Sequence, residues 1–93
     1  MTVTPDQYAR KIANELTIAH NSKDQGAVDS IFVKADDALV TGRYNSNDQK
    51  EFWSSVRTYF RTSGNLLLER QAGSALAALM QAIEAALAAR TSK

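Results

Sequence analysis

Apolar residues recur three and four positions apart in four stretches of this chain, the longest lying between Leu66 and Arg90. There Ala72, Leu76, Leu79, Ile83, Ala86 and Arg90 are spaced four, three, four, three and four. At about 100° per residue they form one stripe of a helix, and Leu68, Ala75, Met80 and Leu87 widen it. The other side holds Ser74, Ala78, Gln81, Ala85 and Ala88, and Glu84 is the only charge between Gln71 and Ala89. A solvated helix face normally carries Lys, Glu and Arg. An alanine face therefore has two readings: other helices pack on both sides, or the face serves self-association or a partner. Gly73 costs roughly 1 kcal/mol relative to alanine in a helix and marks a candidate close crossing. The 19 residues from Gln71 to Ala89 have Gln71, Ser74, Gln81 and Glu84 spread through them, short of the roughly 20 predominantly apolar residues of a span; no membrane association is expected.

Three shorter patterns precede it. Tyr8, Ala9, Ile12, Ala13, Leu16 and Ala19 make one face, with Ile18 off it. Val28, Ile31, Phe32, Ala35 and Leu39 make the next, and Phe52, Trp53, Val56, Tyr59 and Phe60 the third. Each pattern follows an [ST]-x-D-Q run beginning at Thr4, Ser22 and Ser46. The hydroxyl of such a run caps the helix, and its Gln reaches back to the cap N–H. Pro5 suits the first helical position. Gly42 is expected to end the second helix in the left-handed conformation, and Gly64 the third, with Ser63 or Asn65 capping the fourth. The prediction is an all-α fold: a compact bundle of four helices over about residues 5–20, 23–41, 47–62 and 65–90, mostly antiparallel neighbours. The short connection 42–45 makes the second and third helices neighbours. One domain covers residues 1–93, with 1–3 and 91–93 frayed. The expected core is Tyr8, Ile12, Leu16, Val28, Phe32, Leu39, Phe52, Trp53, Val56, Phe60, Leu76, Leu79 and Ile83.

Composition narrows the function classes. With 93 residues the chain can bury a core without disulfides, and it has no cysteine for thiolate chemistry. Its N-terminus lacks a basic stretch followed by an apolar one, so a cytoplasmic protein is expected. A net charge of +1 argues against broad capture of nucleic acid. Enzyme signatures are missing. The four glycines are scattered, His20 is the only histidine, and the Asn- and Asp-rich run 45–51 lacks the glycine of a calcium loop. Asp36 and Asp37 are adjacent and diverge by about 100° on a helix. The expectation is a non-enzymatic protein with no cofactor and no metal.

Two surfaces remain as candidates. Val33 and Val40 lie off the core stripe of the second helix among Asp36 and Asp37. They read either as scattered surface valines or as an apolar patch rimmed by acid, suited to a basic or amphipathic partner. Ala78, Gln81 and Ala85 mark the alanine face of the last helix. Together these seven residues are the predicted protein-binding site of a small inhibitor, adaptor, immunity or regulatory accessory protein that docks on a larger protein. A homodimer through the 65–90 helix is compatible with that reading. The alternative is a nucleic-acid-binding regulator. Lys50, Arg57 and Arg61 share a line on the third helix that can meet phosphates, and Ala38 and Gly42 have the spacing of a helix-turn-helix turn. The linker is long for that turn, so this reading ranks second.

Overall fold

Thr4 starts the first helix as its sequence requires. Its hydroxyl accepts the Gln7 N–H at 3.2 Å, and the Gln7 side chain accepts the Thr4 N–H at 3.3 Å, a complete capping box. The computed structural model describes residues 3–42 and 44–91, with the side chain of Thr91 outside that description. Its helices are α1 (Pro5–Asn21), α2 (Gln25–Thr41), α3 (Ser46–Ser63) and α4 (Leu66–Thr91). The chain is an all-α four-helix bundle. Of the termini expected to fray, residues 1–2 and 92–93 lie outside the described residues, as does Arg43. Val3 is held, because its carbonyl accepts the Tyr44 hydroxyl at 2.7 Å.

The other two expected caps are displaced. Ser22 closes α1 instead of opening α2: its N–H returns to the Ile18 carbonyl at 3.0 Å. Lys23 then takes a left-handed φ of 57°. Asp24 is therefore the first residue free to cap α2, and its carboxylate accepts the Ala27 N–H at 3.0 Å. Before α3, Asn45 is the cap, accepting from Asp48 at 2.8 Å, and Ser46 is already helical. Gln49 donates to the Tyr44 carbonyl at 2.9 Å rather than reaching back to the cap. Asp24→Ala is accordingly expected to cost about 1 kcal/mol, and Ser22→Ala less than about 0.5 kcal/mol, in urea denaturation. Equal losses would return the cap to Ser22.

The glycines differ from expectation once. Gly64 is left-handed at φ 77° as predicted, and Asn65 caps α4 by accepting the Leu68 N–H at 3.2 Å. Gly42 instead has φ −79°, open to any residue. Its need is space: a Cβ there would stand 2.7 Å from the Ala38 carbonyl oxygen.

Helix α3 is the centre of the bundle, packing on α4 and on α1, while α2 packs on α1. Tyr8 meets Phe52 with ring centroids 5.0 Å apart, and Asn14 meets Tyr59 at 3.3 Å, so α1 and α3 run parallel. The ion pair of Arg61 with Glu69 at 3.2 Å, and Arg57 over Gly73, set α4 antiparallel to α3. The short connection does not lay α2 along α3 as predicted. The two meet chiefly where Phe32 stacks on Trp53, centroids 5.7 Å apart. The buried cluster runs from Ala9 through Trp53 to Leu68 and Ala72. Tyr8 and Phe32 are half-buried against it, and Tyr59, expected on the core stripe, is exposed. Burial pushes the Tyr8 phenol above its ordinary pKa, with Glu15 and then Tyr44 adding to the shift.

The largest departure is in α4. Its buried residues are Leu68 and Ala72. Leu76, Leu79 and Ile83, all assigned to the core by periodicity, are only half-buried. Leu76 and Leu79 pack against the buried cluster from its edge; beyond them the reason is length. At about 1.5 Å per residue, the 26 residues of α4 outrun the 18 of α3. Ser46 at the start of α3 lies beside Ala82, Ile83 and Ala86, and residues 84–90 are exposed.

Candidate functional site

The α2 and α4 helices do not close on each other, and a groove of about 510 Å³ lies between them. One end is tied. The Gln71 amide donates to the Asp29 carboxylate at 3.1 Å, and Gln25 on α2 donates to the same oxygen at 3.0 Å. From there the helices run in the same direction, α2 supplying Phe32, Val33 and Val40 to one wall and α4 supplying Ala75, Ala78 and Ala82 to the other. Trp53 and Gln49 of α3 form the floor. The Trp53 ring is fixed there by Phe32 stacked on it and by the edge of Phe52, centroids 4.8 Å apart. Asp36 and Asp37 stand on the α2 side, both exposed.

The wall residues are small on α4 and branched on α2, so the groove is shallow and apolar with acid at one margin. Val33 and Val40 are 61% and 65% exposed, far more than a packed valine. Among the described residues no buried side-chain polar atom lacks a partner. No group of three or more His, Asp or Glu residues that could hold a metal occurs among the described residues. The chemistry available is apolar burial plus attraction of a cation.

Five of the seven predicted protein-binding residues converge on this groove: Val33, Val40, Asp36, Asp37 and Ala78. Gln81 and Ala85 are exposed on α4 but do not line it. The sequence reading missed Trp53 as floor and Phe32 as wall, having assigned both to the core. Trp53 is buried and Phe32 packs against the cluster from its edge, and periodicity does not tell where two packed stripes leave a gap. It also missed Leu66 and Leu67, each 68% exposed at the far end of the bundle, beside His20.

The cation line is placed differently. Lys50 is half-buried, Arg57 lies over Gly73 with its Nε 3.6 Å from where a Cβ would be, and Arg61 is paired with Glu69. Arg57 and Arg61 lie along the α3–α4 seam, and the charge of Arg61 is already answered.

The α4 helix has a second property. Contrary to the expectation drawn from residues 71–89, residues 66–90 are long and apolar enough, by length and composition, to cross a membrane, with a mean hydropathy of 1.4 in the best window. Only 6% of that window is buried, whereas a core helix of similar composition would be mostly covered. Comparison of the chain with protein-family models, with curated proteins and with solved structures found no match.

Proposed function

We propose that this chain is a small non-enzymatic protein-binding module, an inhibitor, adaptor, immunity or regulatory accessory protein, that docks on a larger protein through the α2–α4 face. The observation that supports this reading is the convergence of Val33, Val40, Asp36, Asp37 and Ala78, from two separate helices, on one exposed apolar groove. An exposed apolar surface with a polar rim is the usual mark of a protein contact. Its acidic margin would select a partner with basic residues beside its apolar ones.

The test is a tagged capture from the native host's lysate, with and without nuclease, using the unaltered chain and its Val33→Asp and Ala78→Arg variants. A stoichiometric protein that survives nuclease and is lost from both variants is the expected result. Retention by both variants would remove the groove as the docking surface. Signal that vanishes with nuclease and falls steeply with salt would move the function to Lys50, Arg57 and Arg61.

A further inference from the structure

We infer that a second copy of this chain occupies the α2–α4 groove, inserting the C-terminal end of its α4 in a two-fold pair; this rests on the reading of the α2–α4 face as a docking surface. The groove specifies its occupant. Its walls and Trp53 floor take an apolar ridge, and Asp36 and Asp37 take a cation beside that ridge. The end of α4 carries this pattern. Ile83, Leu87 and Arg90 are four and three positions apart, hence on one helix face. Leu87 is 54% exposed and Arg90 is exposed. They lie beside Ser46 at the start of α3, where α4 runs on past it, and the stripe that packs on α3 earlier in the helix is exposed there.

The register is set by the Asp29–Gln71 hydrogen bond, which joins residues 42 apart. Both helices run the same way, so the same offset puts Asp36 level with Ala78 and Val40 level with Ala82. A second α4 laid antiparallel, with the two-fold axis near Ala82 and Ile83, brings its Leu87 level with Ala78. Its Arg90 then falls within one turn, about 5.4 Å, of the Asp36–Asp37 level. The operation is reciprocal: each copy's ridge meets the other's groove, as an isologous contact requires. The contact is small: a face two helices wide and about 24 Å long, residues 75–90 at about 1.5 Å per residue, projects on the order of 500 Å², below the roughly 800 Å² of accessible surface each partner gives a standard interface, so the pair is a weak one. A lipid surface fits less well, because Asp36 and Asp37 would face anionic headgroups. The second copy and a larger target use one face, so they compete for it.

Sedimentation velocity of the full chain, from low micromolar to near-millimolar concentration, tests the pairing. The expected result is a monomer–dimer equilibrium that stops at two. Val33→Asp and Ala78→Arg, both at exposed positions, should each weaken it at least about tenfold with helical circular dichroism unchanged. Arg90→Glu should weaken it as well, and combining it with Asp36→Arg and Asp37→Arg should restore it, which simple misfolding would not do. A chain that stays monomeric, assembles without limit, or dimerises regardless of these changes overturns the inference. So does a monomer that floats with neutral or anionic phospholipid vesicles, which would give α4 to a membrane. A monomer that still captures a stoichiometric protein sensitive to Val33→Asp overturns the self-pairing alone and leaves the docking face standing.

Discussion

Trp53→Ala is expected to lower the stability of the fold by about 3–5 kcal/mol, the range for removing a large aromatic from a packed core. Trp53 is 2% exposed and is the largest fully packed side chain at the heart of α3. Phe32 stacks on one face of the indole and is the main link between α2 and α3. Phe52 meets it edge-on at an interplanar angle of 83°, the geometry aromatic quadrupoles favour. Its outer edge is the floor of the α2–α4 groove. Alanine would leave a cavity that opens into the groove and let α2 lose its hold on α3. For a chain of this length the whole stability is on the order of 5–14 kcal/mol, so the variant should be near the limit of folding. Urea denaturation followed by circular dichroism reads the effect. A loss within about 0.5 kcal/mol would place the indole outside the core and remove the floor of the groove.

The number of helices and their approximate ranges were legible because apolar residues recur with the 3.6 period in each, and because capping residues sit at every start. The core of α1 and α3 was legible for the same reason: Ile12, Leu16, Phe52, Val56 and Phe60 are buried where their stripe predicts. Two kinds of information were not in the pattern. Which polar residue caps a helix depends on how the preceding helix ends. Ser22 resembles a cap until its own N–H is claimed by Ile18, and Asp24 is then the first residue available. How far a stripe is covered depends on the length of its neighbour. The stripe of α4 is continuous to Arg90, but α3 begins at Ser46 and covers only the first part of it. The same limit applies to the site. Val33, Val40, Asp36 and Asp37 were visible as an odd group on one helix, and Ala78 as part of another. That they share a groove follows from the parallel course of α2 and α4, set by the Asp29–Gln71 contact between residues 42 apart, which no local pattern encodes.

Leu68→Ala and Ile83→Ala should separate, by their unequal costs, the two halves of α4. Leu68 is 1% exposed and sits in the first turn. The chain is delivered there by left-handed Gly64 and by the Asn65 side chain, which accepts the Leu68 N–H. Its removal is expected to cost about 2–5 kcal/mol, as for other buried leucines. Ile83 belongs to the same stripe but lies beside Ser46, where α3 begins, and is only half-buried. Its truncation should cost less than about 1 kcal/mol, as at positions where no full cavity forms. Periodicity alone would rank the two the other way, because Ile83 is on the centre of the stripe and Leu68 on its flank. Denaturation at low protein concentration measures the difference in the single chain. A larger loss at Ile83 than at Leu68 would mean that α4 is anchored by its second half. Repeating the measurement at high concentration adds a further discrimination. If a second copy takes Ile83 into its groove, the cost of Ile83→Ala should grow with concentration while that of Leu68→Ala stays constant, since only the former residue is stabilised by mass action.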